Sequence, residues 1–404
     1  MIRKIALGLA GLVLVGAIAF FTFAPGMAER DMNRIDGKPL PDVSEEARAL
    51  HATLDIVDLH SDTLLWKRSL LDDADRGHMD LGRMVDGNVA LQIFSSVTKT
   101  PTNQNYDSNS ADGDNITALV IGQMQPVRTW NSLLERSLFH AEKLDRAAAN
   151  SRGELQLIRT SAEIASLLTD RGGETKPIGV IFSAEGLHNL EGNIDNLDAL
   201  YDAGMRMAGL THFFDNELAG SMHGEEKNGL TKMGRETIRR MEEMGILVDI
   251  AHCSHSCVAE ILAMARRPVV SSHGGVQATC DVNRNLTDDE IRGVAATGGI
   301  IGIGYWEGAV CDTSPQAIAA AMKHVRDLVG VEHVALGSDY DGAVTVRFDT
   351  AGLVHVTQAL INAGFSEEEI RAVMGGNALR VLKAGLVPLA DLPPEPKTEE
   401  PSAA

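Results

Sequence analysis

Eight short apolar runs rich in Val, Ile and Leu recur along the chain, and a stretch with helical spacing follows each of them. Such alternation is typical of βα units, in which parallel strands are buried on both faces. Eight units in succession predict an α/β fold, namely a closed (β/α)8 TIM barrel. The runs span residues 55–60, 88–94, 178–183, 206–212, 246–252, 268–273, 299–304 and 333–339.

The first run ends in a way that argues against a nucleotide-binding sheet. An open doubly wound sheet of that kind carries a glycine-rich phosphate loop after its first strand. Here His60-Ser61-Asp62 stands in that place. Residues 98–114 are rich in Asn, Ser, Thr and Asp and predict a long surface loop, and a helix is predicted over 119–149.

The two ends of the chain differ from its body. Arg3 and Lys4 precede an apolar run over 5–24, which at about 1.5 Å per residue is just long enough to cross a bilayer core of about 30 Å. This favours an uncleaved membrane anchor over 1–28, although small residues at 26–28 leave a cleaved signal peptide open. Either alternative predicts an exported body over 29–387, membrane-anchored or periplasmic/extracellular. The Pro/Glu-rich tail, 388–404, is predicted to be disordered.

Charge and cysteine content limit the partners. The chain carries 36 Lys+Arg and 56 Asp+Glu, a formal net charge of −20, and has no long basic run. Nucleic acid is therefore excluded as an expected partner. The four cysteines are too few for a disulfide scaffold and form no CxxC pair.

Polar side chains stand at or just past the carboxyl end of six of the apolar runs. In a (β/α)8 barrel this end of the strands carries the catalytic residues. We therefore expect a functional site there, built from His60, Glu185, His212, His252, His273 and Asp339.

These residue types are suited to binding metal. His60 and Asp62 are two residues apart, so in an extended strand they share one face and can hold one cation. His252 and His273 close adjacent strands and can converge on a cation, and the two oxygens of Glu185 can bridge two cations. Structural alternatives stay open, because Asp62 could cap a helix and Glu185 could begin one.

Two aspartates compete for a proton-transfer role after the last run. Asp339 directly continues the strand, whereas Asp341-Gly342 has the composition of a turn. Asp339 is therefore the better candidate to exchange a proton with a metal-bound water and a leaving group. His255 is assigned to the helix that follows His252.

Seven motifs, in order and at similar spacing, resemble the membrane dipeptidase (renal dipeptidase) family of binuclear zinc peptidases. The resemblance extends from about residue 56 to residue 382. The motifs are His60-Ser-Asp62, Ser183-Ala-Glu-Gly186, Asp249-Ile-Ala-His-Cys-Ser254, Ser271-Ser-His-Gly274, Asn283-Arg-Asn285, Gly337-Ser-Asp-Tyr-Asp-Gly342 and Gly375-Gly-Asn-Ala-Leu-Arg380.

The resemblance implies a ligand set for two zinc ions per chain. By position, His60 and Asp62 hold one zinc, His252 and His273 hold the other, and Glu185 bridges them. Two zinc ions lower the pKa of a shared water towards about 7 and supply hydroxide at neutral pH. The implied activity is hydrolysis of the peptide bond of dipeptides, including those with a D-residue at the C-terminal position.

The resemblance also assigns three residues to the substrate. His212 matches the histidine that contacts substrate and steadies the developing oxyanion. Arg284 matches the arginine that binds the terminal carboxylate of the dipeptide, a role suited to a planar two-pronged donor. Asp339 matches the acid/base aspartate.

Further features follow from the resemblance. Cys280 and Cys311 lie where secreted animal relatives have an intrachain bridge, whereas Cys253 and Cys257 are expected to be small buried residues. Many relatives dimerise, so the resemblance leaves a homodimer open without deciding the oligomeric state. The segment 213–221 lacks a tryptophan found in animal enzymes, and both it and the 98–114 loop are expected at the mouth of the site.

The sequence leaves two other functions open. A related metal-dependent amidohydrolase could act on a β-lactam, a cyclic amide or a lactone. Those enzymes commonly begin with His-x-His and often bridge their metals through a modified lysine, whereas this chain has His60-Ser-Asp62 and Glu185. A membrane-tethered binding protein without catalysis predicts damaged ligands, and all five predicted ligands and Asp339 are present.

Overall fold

The computed structural model describes residues 2–173 and 175–389, so all but the first two residues of the predicted 388–404 tail lie outside the described residues. The strands are β1 (Arg34–Ile35), β2 (Ile56–Ser61), β3 (Val89–Phe94), β4 (Leu155–Leu157), β5 (Ile178–Glu185), β6 (Met205–Gly209), β7 (Leu247–Asp249), β8 (Val270–Ser271), β9 (Ile300–Ile303), β10 (Val334–Leu336) and β11 (Thr345–Val346).

The helices alternate with these strands. They are α1 (Ile2–Met32), α2 (Glu45–His51), α3 (Leu81–Asp86), α4 (Asn115–Gly122), α5 (Leu133–Asn150), α6 (Ser161–Asp170), α7 (Asn196–Asp202), α8 (Lys232–Met244), α9 (His255–Met264), α10 (Asp288–Ala296), α11 (Glu307–Val310), α12 (Pro315–Val329), α13 (Val354–Asn362), α14 (Glu367–Arg371) and α15 (Asn377–Gly385).

Eight parallel strands close into a barrel, which confirms the predicted (β/α)8 fold. The hydrogen-bonded order is β3-β2-β10-β9-β8-β7-β6-β5, and pairing of β3 with β5, for example Leu91 opposite Gly179, completes the circle. Each of these strands coincides with a predicted apolar run, and all their residues are buried. Burial on both faces explains why the runs lack polar alternation.

Three short strands lie outside the barrel. β4 pairs with the first half of β5, whereas the second half of β5 pairs with the barrel strand β6. β1 pairs in parallel with β11, which places the chain that leaves α1 beside the loop that follows β10. These strands have two or three residues each, too few for their apolar pattern to stand out in the sequence.

The prediction of one helix over 119–149 is wrong. The structure has two helices there, α4 and α5, separated by a turn and a short 3-10 helix. Met124 adopts a left-handed conformation, with φ of 58°. Pro126 follows two residues later and has no N–H with which to continue a helix. The apolar spacing therefore continues across a turn at which the first helix has already ended.

The predicted loop at 98–114 has no helix or strand and is fixed across the barrel mouth. The backbone N–H of Asn109 donates to the carbonyl of His223 at 2.8 Å, and its side-chain amide donates to the same carbonyl at 2.9 Å. The buried Arg136 donates to the carbonyl of Thr98 at 2.6 Å. These contacts bring the loop over the carboxyl ends of the strands.

The apolar N-terminal run forms the first part of α1. Of the described residues, it is the one helix long and apolar enough to cross a membrane, with a mean hydropathy of 2.4. Its side chains from Arg3 to Gly16 are exposed, and close packing against the body begins at Pro25. The helix therefore joins an exposed apolar half to a half that packs on the barrel.

Candidate metal centre

The strand ends bring the predicted site residues together. His60 lies in β2, and Glu185 is the last residue of β5. His212, His252 and Asp339 each lie three residues past β6, β7 and β10, respectively. Because all barrel strands are parallel, these ends meet at one face. His273, two residues past β8, joins them there.

Glu185 lies at the centre of the cluster. Its Oε1 is 2.9 Å from Nε2 of His252 and 3.2 Å from Nε2 of His273. The same oxygen is 3.6 Å from Nε2 of His60, and Oε2 is 3.6 Å from Nε2 of His212. The two oxygens of one buried carboxylate thus face four imidazoles.

Three overlapping groups of ligand atoms could each hold a cation. Within each group all ligand atoms lie within 4.8 Å of one another, and every residue is buried. Glu185 belongs to two of the groups and His60 to two, so the groups share one cavity. They are His60 with Asp62 and Glu185, Glu185 with His212 and His252, and His60 with Asp249 and His273.

Unsatisfied polar atoms indicate that the donor set suits metal. Among the described residues, Nε2 of His60, Oδ1 of Asp62 and Oε2 of Glu185 are buried without a hydrogen-bond partner. Buried polar atoms are normally paired, because an unpaired one costs about 1–3 kcal/mol. Imidazole nitrogens and carboxylate oxygens are ligands for divalent transition metals, so cations bound here would satisfy these atoms.

The protonation states also suit metal binding. Burial lowers the pKa of His252 and His273 well below the usual range, so both imidazoles are neutral and keep a free electron pair. Burial by itself would raise the pKa of Glu185, but the nearby imidazoles of His212 and His60 lower it well below normal. Glu185 is therefore ionised.

Asp62 and Glu185 do not serve as helix caps. Asp62 precedes a 3-10 helix, Thr63–Leu65, but its side chain makes no capping hydrogen bond. Oε1 of Glu185 instead lies 2.9 Å from Nε2 of His252 and 3.2 Å from Nε2 of His273, side chains that follow other strands. Gly186, with φ of 89°, turns the chain directly after Glu185, and a Cβ there would lie 2.5 Å from the ring of His188. The turn thus requires glycine and directs Glu185 inward.

Asp339 and Asp341 have different surroundings. Asp339 faces the cluster, with Oδ1 3.9 Å from Nε2 of His60, and burial raises its pKa well above the usual range. Asp341 is fully buried and accepts from the hydroxyl of Thr63 at 2.6 Å and from the backbone N–H of His78 at 2.6 Å. Only Asp339 lines the cavity of the cluster.

Arg284 lies in the same cavity. It is buried, donates through Nη1 to the carbonyl of His273 at 3.3 Å, and packs 4.6 Å from the ring of Trp306. Its Nη2 has no hydrogen-bond partner among the described residues. An unpaired guanidinium nitrogen directed at a cavity is suited to binding an anionic group.

The cavity measures about 430 Å³ and is partly apolar. Its charged and titratable lining consists of Asp62, Glu185, His212, His252, Arg284 and Asp339. Apolar side chains complete its walls, and they come from loops, from α4 and from the end of α1. They include Met32, Leu65, Trp66, Val97, Ile116, Leu119, Phe213 and Val344. The 98–114 loop contributes Thr100, Gln104 and Tyr106, so it lines the mouth as expected.

Two features of the site were missed in the sequence. Asp249 accepts from Ser272 through both its hydroxyl, at 2.5 Å, and its backbone N–H, at 2.9 Å. The same hydroxyl lies 2.8 Å from Nδ1 of His273, so Asp249 orients a predicted ligand. The hydroxyl of Tyr106 accepts from Nε1 of Trp306 at 3.1 Å, which joins the roof of the cavity to its wall.

Other predicted features fall outside the cluster. His255 begins α9, and its Nδ1 lies 2.6 Å from Glu290, away from the metal-ligand groups. A disulfide joins Cys280 to Cys311, which flank Arg284 in the chain. Cys253 and Cys257 are free and buried.

A closed parallel barrel with a buried His/Asp/Glu cluster at its carboxyl face is the architecture of a metal-dependent hydrolase. Residues 44–387 match the family model for membrane dipeptidase, peptidase family M19. The chain therefore belongs to the membrane dipeptidase family, a family of metallopeptidases that hydrolyse dipeptides.

Individual relatives agree with this assignment. The chain is 29% identical to Dipeptidase verJ of Clonostachys rogersoniana, covering 85% of this chain and 87% of that one. It is 26% identical to Dipeptidase 3 of Rattus norvegicus, covering 85% and 67%. The fold matches that of a metallopeptidase from Rhodobacter sphaeroides liganded with a phosphinate mimic of L-Ala-D-Ala, with a TM-score of 0.69, 22% identity, and coverage of 82% and 99%.

Proposed function

We propose that the protein is an exported, membrane-anchored dipeptidase that uses two zinc ions held by His60, Asp62, His252 and His273 and bridged by Glu185. The observation that carries this proposal is the convergence of imidazoles from four strands on both oxygens of one buried carboxylate. Such an arrangement leaves the bridging carboxylate ionised and the flanking imidazoles of His252 and His273 neutral.

The cluster would supply the hydrolytic chemistry once it is loaded. Zinc ions bound there would lower the pKa of a water and polarise the scissile carbonyl. The chain supplies substrate binding and proton transfer. Arg284 binds the free carboxylate of the dipeptide through its unpaired Nη2.

His212 and Asp339 act on the reacting peptide bond. Nε2 of His212 faces Glu185 across the cavity, where it can contact the carbonyl oxygen as negative charge develops. Asp339 delivers a proton to the leaving amine, a role that suits a buried carboxyl group with a raised pKa. Because Arg284 binds a terminal carboxylate, the site favours very short peptides.

Export is supported by two independent features. Arg3 and Lys4 precede the exposed apolar half of α1, which is the charge pattern of a segment whose N-terminus stays in the cytoplasm. The disulfide between Cys280 and Cys311 is stable in an oxidising compartment outside the cytoplasm. Homodimer formation stays a prediction.

Hydrolysis of a defined dipeptide panel tests the proposed function. Full-length protein in detergent would be given L,L- and L,D-dipeptides, before and after chelation and after zinc is added back. N-acetylated and C-amidated dipeptides serve as controls. The L,D-substrates test acceptance of a D-residue at the C-terminal position, in view of the L-Ala-D-Ala mimic bound by the structural relative.

We expect cleavage that chelation abolishes, that zinc restores and that C-amidation slows strongly. Failure of the folded, zinc-loaded protein to cleave any dipeptide would contradict the proposal. Cleavage of a β-lactam, cyclic amide or lactone in the same assay would instead support the related amidohydrolase activity.

A further inference from the structure

The second half of α1 packs on the catalytic face of the barrel. Pro25 and Glu29 are buried four residues apart, which places them on one face of the helix, and Asn33, directly after the end of the helix, is buried as well. The side-chain amide oxygen of Asn33 accepts from the backbone N–H of Ala343 at 2.9 Å. Met32 lines the cavity itself. The membrane-crossing helix therefore ends at the functional site.

Glu29 takes part in a buried ion cluster. Its Oε1 accepts from Nε of Arg68 at 2.5 Å, and its Oε2 accepts from Nε of Arg76 at 2.8 Å. Arg68 also donates to the carboxylate of Asp341 and to the carbonyl of Met79. The side chains of Glu29 and Arg68 are each 1% exposed, and that of Asp341 is 0% exposed. Arg68 thus lies between a carboxylate of α1 and a carboxylate of the barrel.

Asp341 connects this ion cluster to both loops that carry acidic site residues. Besides its bond to the Thr63 hydroxyl, its carbonyl accepts from Nε1 of Trp66 at 2.7 Å. Thr63 directly follows Asp62, and Asp341 lies two residues after Asp339. The contacts therefore run without a gap from Glu29 to the loops that bear Asp62 and Asp339.

The backbone at Gly77 is shaped to this ion cluster. Gly77 has φ of 70°, and a Cβ there would lie 2.5 Å from Nη2 of Arg68 and 2.8 Å from Oδ1 of Asp341. Both the left-handed conformation and the close approach require glycine. The chain thus packs closely around the contact between Arg68 and Asp341.

We propose that α1 is retained in the mature protein and that Glu29 positions the two loops through Arg68 and Asp341. Cleavage after Ala28 would place a charged α-amino group on a buried residue and break the helical turn before it. The anchor is therefore part of the site's framework. This inference rests on the proposed function, in which Asp62 is a metal ligand and Asp339 transfers a proton.

The intact mass of the mature protein tests retention. Full-length protein purified from membranes should have a mass that includes the residues of α1. A mature chain that begins at Glu29, or later, would overturn the proposal.

A matched pair of variants tests positioning. Glu29→Gln removes the charge in the ion cluster and keeps the shape of the side chain. Asp31→Asn makes the same change two residues away on a carboxylate that is 76% exposed. We expect Glu29→Gln to weaken zinc affinity or lower kcat by about 10–100-fold, as is usual for residues that orient metal ligands. Asp31→Asn should match the wild type in both.

Zinc affinity is measured by competition with a chromophoric chelator, on protein whose folding is verified by circular dichroism. A Glu29→Gln protein that melts at a lower temperature but keeps wild-type zinc affinity and kcat would overturn the positioning role. Should Glu29→Gln fail to fold, Glu29→Asp keeps the charge but shortens the side chain and so separates its carboxylate from Arg68. A folded Glu29→Asp with unchanged zinc affinity and kcat would overturn it equally.

These readouts separate this inference from the proposed function. A wild-type protein that binds zinc but cleaves no dipeptide contradicts the proposed function. The difference in zinc affinity between Glu29→Gln and Asp31→Asn still decides the role of Glu29 in that case.

Discussion

Arg284 offers a direct test of substrate recognition at the scale of one residue. We predict that Arg284→Ala lowers kcat/KM for a free dipeptide roughly 30-fold or more, which corresponds to a loss of about 2–5 kcal/mol of transition-state stabilisation. The reason is that the substitution removes the buried charge pair between the guanidinium and the carboxylate of the substrate. Slow hydrolysis of a C-amidated dipeptide should not change. The measurement compares steady-state kinetics on both substrates. Equal losses on the two would show that Arg284 supports the fold and not the carboxylate.

Asp339 and Asp341 form a natural pair for separating catalysis from structure. We predict that Asp339→Asn lowers kcat by roughly 10²–10⁴-fold, because it removes the acid that protonates the leaving amine. Its melting temperature should stay close to that of the wild type. Asp341→Asn should instead lower the melting temperature, because it leaves the buried Arg68 under-compensated. Similar kcat values for Asp339→Asn and the wild type would contradict the proton-transfer role.

Single residues were predictable where they end an apolar run. His252 and His273 stand out because each is the last residue of an apolar run and lies two or three residues past a buried strand. Asp249 lies inside its run, and its partner Ser272 directly follows another strand, β8, so their bond exists only once the two strands lie side by side in the barrel. The motif around Asp249 is visible in the sequence, but its contact with Ser272 is not.

At the scale of elements, the disulfide ties the loop after β8 to the end of α11. The two cysteines are separated by 31 residues, and closing a loop of this length stabilises a fold by about 2–4 kcal/mol. We predict that reductant lowers the melting temperature of the wild type. The variant with both Cys280→Ser and Cys311→Ser should melt lower in either condition and be insensitive to reductant. A wild type that is also insensitive would show that the bridge does not stabilise the protein.

Helix α4 contributes an apolar wall to the cavity and predicts substrate preference. Leu119 lines the cavity, whereas Val127, between α4 and α5, is 72% exposed and outside it. Burying a leucine-sized side chain yields about 1.5–3 kcal/mol. We therefore predict that Leu119→Ala lowers kcat/KM by roughly tenfold for dipeptides with a large apolar side chain and little for Gly-Gly. Val127→Ala is the control, and an equal loss on Gly-Gly would contradict a side-chain contact.

Elements were predictable in proportion to their length. The eight barrel strands follow from runs of Val, Ile and Leu, but β4 has three residues and gains its stability from pairing with β5. The break between α4 and α5 depends on Pro126, a local signal that the longer helical periodicity concealed. The end of a helix at such a position is determined by local backbone conformation and not by the spacing of apolar residues.

At the scale of the whole molecule, one chain combines a metallopeptidase barrel with an N-terminal helix that is long and apolar enough to cross a membrane. The apolar run was evident from the sequence, and so were the two basic residues, Arg3 and Lys4, that precede it. The sequence could not assign the second half of this helix to the site. Glu29 contacts Arg68, and Arg68 contacts Asp341, but these residues are distant in the chain. The structure places the end of that helix beside the cavity through Met32.

The most direct test of the central claim is a zinc titration of the metal-free, full-length protein, with dipeptide hydrolysis and melting temperature followed together. We predict no hydrolysis without metal, activity that reaches its plateau at two zinc ions per chain, and a melting temperature that rises with loading, since a ligand that binds only the folded state stabilises it. Full hydrolysis in the presence of excess chelator, or a plateau with no zinc bound, would contradict a zinc-dependent dipeptidase.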